Sequence, residues 1–212
     1  MLVGKRMQHN PVTITKEESV TSAARLMEEK RVRSLLVVEG KKLVGIVSHG
    51  DIRQVMPSPA TSLEVRELHY LLDRLQVGEI MTTDVVTVAP DSPIEDAARL
   101  MHDRKIRALP VVSSETGELM GIITETDVLA VLIEVMGLDA ESARLELVLE
   151  DKPGVLADVT RVIKEHNVNI VSLVTAYEPD KVRRLVALRL KTSNLDPIIR
   201  SLKDRGYEVS YP

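Results

Sequence analysis

The chain has 212 residues, a formal net charge of −4, 44% hydrophobic and 28% charged residues, a balance that suits a folded protein with a sizeable core in one or two domains. The acidic balance argues against a dedicated nucleic-acid binder, which carries a basic surplus, and the lack of cysteine excludes a disulfide framework and any thiolate metal site. No apolar run approaches the roughly 18 residues that span a bilayer, and the opening with Lys5, Arg6 and His9 lacks the apolar core of a signal peptide. The expectation is a cytoplasmic protein that engages neither membrane nor nucleic acid.

One pattern is written twice. Val3-Gly4-x-x-Met7, Val12-Thr13, Ala23-Ala24-Arg25-Leu26-Met27 and Arg33-x-Leu35-x-Val37-Val38 return 74 residues later as Val77-Gly78-x-x-Met81, Val86-Thr87, Ala97-Ala98-Arg99-Leu100-Met101 and Arg107-x-Leu109-x-Val111-Val112. Each copy ends in a glycine, two β-branched residues, a hydroxyl and an aspartate: Gly45-Ile46-Val47-Ser48-His49-Gly50-Asp51 and Gly121-Ile122-Ile123-Thr124-Glu125-Thr126-Asp127. Small repeated units bury their apolar faces against each other, so the two copies are expected to pack as a pair with a shared cleft.

In the first copy, residues 11–14 read as a short strand. Residues 19–31 read as a helix with Val20, Ala23, Ala24 and Met27 on one face. Residues 35–38 and 43–47 read as a hairpin around Glu39-Gly40, and a last helix starts near Asp51. Their apolar runs are continuous rather than alternating, which suggests burial on both faces. Residues 57–61 have the composition of a linker. Residues 62–75 carry Leu68, Leu71, Leu72 and Leu75 at helical spacing, a stripe for packing against the pair or a partner subunit.

The second copy repeats the scheme. Residues 85–88 form the leading strand. A helix follows with Ser92 as cap, Pro93 at its first position and Glu95 closing a capping box. A hairpin around Thr116-Gly117 has two extra turn residues, and a helix starts near Asp127. From residue 143 the pattern changes to strand 145–149, a turn at Asp151-Lys152-Pro153-Gly154, helix 155–166, strands 170–177 and 182–191, a helix capped at Asp196-Pro197, and strand 208–211. That order, βαββαβ, is the ferredoxin-like unit.

These residues carry a resemblance. Residues 1–137 resemble a tandem pair of CBS domains, on the Gly-x-x-Ser/Thr-x-x-Asp turns, the Met-x-x-x-x-Val-Thr strands and Arg107-x-Leu109-Pro110-Val111-Val112. Residues 143–212 resemble an ACT domain, on Asp151-x-Pro153-Gly154-Val155-Leu156 and Val168-Asn169-Ile170. The order is similar to that of acetoin-utilisation protein B type proteins. It implies an α+β fold: two βαββα CBS units as a pseudo-twofold pair (1–58 and 77–137, joined by a linker and helix at 59–76), then the ferredoxin-like ACT domain at 143–212.

The resemblance also implies function. An adenosine-containing ligand (AMP, ADP, ATP or S-adenosylmethionine) is expected in the cleft of the pair, as a regulatory ligand rather than a cofactor. Asp51 and Asp127 would accept a ribose diol, a charge-assisted arrangement, although Asp at a helix start is also an ordinary cap. Ser48 and Thr124 would donate to phosphate or ribose at helix N-termini. Arg33 and Arg107 would grip the phosphate, and adenine would lie against Val12-Thr13 and Val86-Thr87. Without Phe or Trp, a planar ligand must be held by aliphatic side chains. Leu36 in place of the proline at Pro110, and Gly50 beside Asp51, make the Thr124/Asp127 site the stronger candidate. Glu125 beside it argues against triphosphates.

For the ACT part, Asp151, Gly154, Val155, Leu156 and Asn169 are the positions for an amino-acid ligand, with dimerisation alone as the alternative. A homodimer is expected because a single such unit leaves a sheet edge or face open. No catalysis is expected. The five histidines lack metal-ligand spacing, no phosphate-binding glycine loop is present, and Ser48 and His49 would point to opposite faces of a strand. The expected role is a regulatory sensor with an unknown protein target, no reaction of its own and acetoin utilisation as the implied setting; the alternative is a ligand-free dimeric scaffold.

Overall fold

The computed structural model describes residues 1–55, 74–138, 141–179 and 182–210. They fall into two compact units, Met1–Val128 and Leu129–Pro212. In the first, β1 (Thr13–Ile14), α1 (Val20–Lys30), β2 (Ser34–Glu39), β3 (Lys42–Ser48) and α2 (His49–Val55) make one repeat. A short α3 (Val77–Ile80), then α4 (Ile94–Arg104), β4 (Ala108–Val112), β5 (Leu119–Thr124) and the start of α5 (Glu125–Val135) make the other. The expected helical stripe at 62–75 lies almost wholly outside the described residues.

The two copies match in detail. Helix α1 buries Val20, Ala23 and Met27, and α4 buries Ile94, Ala97 and Met101 at the same three positions. Both end on a left-handed non-glycine residue, Arg31 at φ 55° and Lys105 at φ 57°. Both hairpins bulge at one place, Val37/Val38 and Val111/Val112.

Three local expectations are corrected. Ser19 caps α1 through a bond from the Ser22 amide at 3.2 Å, but Pro93, not Ser92, takes the cap position of α4, with no side-chain cap bond and the helix starting one residue late. Residues 85–88 do not form a strand. Strand β1 pairs parallel with β2 through the Leu36 amide, which donates to Val12 O at 3.3 Å. Its counterpart Pro110 has no N–H to give, and the pairing shrinks to a single bridge, Val88 to Val111. Helices α2 and α5 begin at His49 and Glu125, so each aspartate sits inside the first turn rather than before it.

The repeats exchange their leading segments. Gln8 pairs with Ile122 on β5 of the other copy, its amide donating to Ile122 O at 2.8 Å and its carbonyl accepting from the Ile122 amide at 3.0 Å. Thr82 pairs in the same way with Ile46 on β3, at 2.9 and 3.0 Å. The contact beneath is reciprocal too. A Cβ on Gly121 would stand 2.5 Å from Gln8 O and 2.9 Å from Met7 Sδ, and one on Gly45 would stand 2.5 Å from Met81 Sδ. Val77, from the second copy, is fully buried in the core of the first, among Ile14, Val20, Met27, Leu35, Val37, Val47 and Ile52.

In the second unit, β6 (Ala143–Glu150), α6 (Val155–Glu165), β7 (Ile170–Tyr177), β8 (Arg183–Leu190), α7 (Asp196–Asp204) and β9 (Glu208–Ser210) form a four-stranded sheet of order β7-β8-β6-β9. Period-2 alternation buries Leu145, Leu147 and Leu149 of β6 and Val186, Leu188 and Leu190 of β8 under Val159, Val162 and Ile163 of α6 and Ile198 and Leu202 of α7. Asp196 is the first residue of α7, not its cap. The outermost strand β7 leaves Leu173, Val174 and Tyr177 exposed. The fold is α+β, with paired repeats and a ferredoxin-like sheet.

Ala at Gly121 forces the Gln8 backbone to move, whereas at Gly50 an added Cβ meets nothing closer than Ser48 Oγ at 3.4 Å. Gly121→Ala is therefore expected to lower unfolding stability by about 1–3 kcal/mol, and Gly50→Ala, inside a helix, to leave it equal or raised by up to about 1 kcal/mol. Urea denaturation of both variants checks this.

Candidate functional site

Two matched sites form where each hairpin turns into a helix. At the first, β1 and β2 begin and β3 ends, since Thr13 is opposite Leu36 and Ser34 is opposite Ser48. Val12, Thr13, Arg33, Ser48 and Asp51 are thereby gathered at one end of the sheet. At the second, Ala108 is opposite Thr124 and Val88 bridges to Val111. Val86, Thr87, Arg107, Thr124 and Asp127 are placed in the same way. The arginines anchor each helix start through their backbones: the His49 amide donates to Arg33 O, and the Glu125 amide to Arg107 O, each at 3.0 Å.

Each acid closes a tight ring with its hydroxyl partner. Asp51 Oδ2 accepts from the Ser48 amide and hydroxyl, both at 2.7 Å, and the Asp51 amide donates to Ser48 Oγ at 3.3 Å. Asp127 Oδ2 accepts from the Thr124 amide at 2.8 Å and hydroxyl at 2.6 Å, with the return bond again 3.3 Å. A hydroxyl has one proton. In this geometry Ser48 and Thr124 spend theirs on the carboxylate, so they fix the acid rather than donate to a ligand. Oδ1 of each acid takes no part in its ring. Oδ1 of Asp51 has no partner among the described residues.

The two sites differ at their borders. Gln8, brought in by the exchanged segment, donates its side-chain amide to Asp127 at 3.3 Å (Oδ1) and 3.4 Å (Oδ2). Its counterpart Thr82 makes no such bond to Asp51. Arg107 Nε lies 3.9 Å from Glu125 Oε2, whereas Arg33, with His49 at the place of Glu125, has no ion pair among the described residues. Gln8 is a site residue that motif reading missed. Its signal was the exchange itself, which no local pattern reveals.

The second unit has its own hollow, of about 290 Å³, lined by residues 149–156 with Thr175, Arg184 and Val186. Asp151, Gly154, Val155 and Leu156 sit together here. Gly154 takes φ 90°, a conformation open to glycine, and supplies no side-chain cap. The first-turn amides of α6 are left to other partners. Asn169 is elsewhere, in a separate hollow of about 290 Å³ with Thr160, Ile163, Lys164, Asn167, Val168 and Ile170.

Arg184 and Thr175 come to the first hollow from β8 and β7, without any local signal in the sequence. Arg184 Nε donates to Asp151 Oδ1 at 2.8 Å and Nη2 to Tyr177 Oη at 2.7 Å, and its guanidinium lies 4.1 Å from the Tyr177 ring centre. Asp151 holds the guanidinium pKa above its usual value. Lys152 donates to Glu150 at 2.6 Å, which raises the lysine and lowers the glutamate. Among the described residues, no group of three or more His, Cys, Asp or Glu is placed to hold a metal ion, and no helix is long and apolar enough to cross a membrane.

Residues 3–58 and 77–134 match the family model described as CBS domain, and residues 143–206 match the one described as ACT domain. The chain is similar to a Vibrio cholerae protein assigned to acetoin utilization (AcuB), with 32% identity over 67% of this chain and 97% of that one and a TM-score of 0.54. It is similar to CBSX2, a CBS-pair protein of Arabidopsis thaliana, in complex with AMP, with 33% identity over 63% and 97% of the two chains and a TM-score of 0.52. It is also similar to the CBS domain pair of protein MJ0100 in complex with 5′-methylthioadenosine and S-adenosyl-L-methionine, with 26% identity over 62% and 95% of the chains and a TM-score of 0.51. The chain spans about a fifth of the length of the curated enzymes it matches, such as an inosine-5′-monophosphate dehydrogenase of Korarchaeum cryptofilum, 39% identical over 119 residues.

The rings at Asp51 and Asp127 work as caps whether or not a ligand binds. Asp51→Ala and Asp127→Ala are each expected to cost about 1 kcal/mol in stability, while the Asn variants, whose amide oxygen still accepts, keep most of it. Thermal unfolding of the four variants measures this.

Proposed function

Because the chain belongs to the CBS-domain family, with two CBS domains followed by an ACT domain, we propose that it is a regulatory sensor that binds an adenosine-containing ligand in its CBS pair. The observation that carries the reading is the twinned acid ring: two carboxylates in matched register, each pinned through Oδ2 by the amide and hydroxyl of its partner, each in a helix start that an arginine carbonyl anchors. A pinned carboxylate accepts two adjacent ribose hydroxyls without first losing side-chain freedom. Val12-Thr13 and Val86-Thr87 flank the adenine, and Arg33 and Arg107 are the cations placed for the group that the ribose 5′ carbon carries. The AMP complex of CBSX2 and the S-adenosyl-L-methionine complex of protein MJ0100 support this ligand class.

Because each site borders a segment donated by the other repeat, a bound ligand touches both copies. Signalling then requires two arrangements of the pair with different affinity for the ligand. In the ACT domain, the hollow at Asp151, Gly154, Val155 and Leu156 pairs free helix-start amides with Arg184 and Asp151, a set of groups matched to the carboxylate and ammonium of an amino acid. The exposed strand β7 is the proposed surface for homodimerisation. Acetoin utilisation is the proposed setting, on the likeness to the Vibrio cholerae protein alone. The sensor has no reaction of its own in this reading, and its output is carried to a separate protein.

Calorimetry with AMP, ATP and S-adenosylmethionine tests the reading. The wild type is expected to saturate with at least one of them, and the double variant Asp51→Asn/Asp127→Asn to bind it roughly ten- to a hundredfold more weakly, since hydrogen bonds to a charged group contribute about 1.5–3 kcal/mol. No heat with any of the three, alongside capture of a partner protein without nucleotide, would establish a scaffold instead.

A further inference from the structure

We propose that the site at Asp127 is a phosphate-free adenosyl site, kept so by Glu125 and gated by Gln8, and that the two CBS sites therefore take different ligands. The inference rests on the adenosine-binding reading above and concerns which adenosine compounds each site accepts.

Position by position the sites match at Arg33 and Arg107, Ser48 and Thr124, and Asp51 and Asp127. They differ where the first has His49 and the second Glu125, and where the exchanged segment brings Thr82 to the first and Gln8 to the second. Both differences act on ligand-binding groups. Arg107, the cation that would receive a phosphate, has the Glu125 carboxylate 3.9 Å from its Nε. Both side chains are exposed, so the pair adds little stability. Its effect is on charge: Arg107, Glu125 and Asp127 sum to −1, whereas Arg33 and Asp51 sum to zero, with His49 at the place of Glu125. A phosphate brings nearly two negative charges and at the second site meets a carboxylate beside Arg107. A neutral thioether or a cationic sulfonium at the ribose 5′ carbon meets no such repulsion, and the sulfonium is attracted.

Gln8 acts on the other half of the ligand. Its amide occupies both oxygens of Asp127 at 3.3 and 3.4 Å. A ribose diol must displace it, while the outward oxygen of Asp51 is open. Gln8 thus sets a threshold for the second site, and because it arrives on the segment exchanged from the first repeat, that threshold follows the relation between the repeats.

Titration calorimetry of the full chain with AMP, 5′-methylthioadenosine and S-adenosylmethionine separates the possibilities. The wild type is expected to bind one AMP per chain and two molecules of 5′-methylthioadenosine, with S-adenosylmethionine tighter than the thioether at the second site. Glu125→Gln, a conservative change at an exposed position, is expected to create a second AMP site or to tighten a weak one at least tenfold. Gln8→Ala is expected to tighten 5′-methylthioadenosine at the second site roughly three- to tenfold, the net worth of one exchanged hydrogen bond. Equal binding of two AMP by the wild type, or AMP binding unchanged in number and affinity by Glu125→Gln, would overturn the inference and leave adenosine sensing intact. Absence of binding by all three compounds would overturn both.

Discussion

Met7 lies against Gly121 and Met81 against Gly45, and around these two contacts each repeat passes its leading segment to the other. Neither copy completes its own core. The first relies on Val77 from the second, and the paired amides of Gln8 with Ile122 and Thr82 with Ile46 hold the exchange in register. A side chain at either glycine would push the segment off its strand. The repeated Val-Gly-x-x-Met and Gly-x-x-Ser/Thr-x-x-Asp motifs are thus two halves of one contact, made twice.

That exchange also shapes the sites. Ile122 stands two residues before Thr124, so the segment that closes the core ends at the carboxylate of Asp127. Packing and ligand reception share a few ångströms of backbone. In the proposed function, a ligand that displaces the Gln8 side chain acts on the residue whose backbone joins the copies, which would be a physical route from occupancy to repeat geometry.

Much of this was legible in the sequence. The helix faces, both hairpins, the twinned acid turns and the βαββαβ order follow from periodicity and turn residues, and the structure brings the expected residues of each CBS site together. What was not legible depends on groups distant in the chain or on a single missing atom. Pro110 lacks the amide that Leu36 uses, so the second leading strand dissolves. Pro93 takes a cap position where Ser19 stands in the first copy. Glu125 beside the Asp127 site is legible in the motif, but Gln8, 119 residues away in the chain, is not. Arg184 reaches Asp151 from 33 residues away, and Asn169 falls in a different hollow because α6 carries the chain to its far end before Asn169 is reached.

The account depends most on the exchanged segments being integral to the fold rather than docked on its surface. Native-state hydrogen exchange at the amides of Gln8, Ile46, Thr82 and Ile122 measures this directly. If the exchange holds the pair together, all four open only with global unfolding of the first unit, and their opening free energies agree with those of core amides such as Leu35 and Leu109. Rapid exchange at Gln8 and Thr82, as for a fraying terminus, with core protection unchanged, would contradict it.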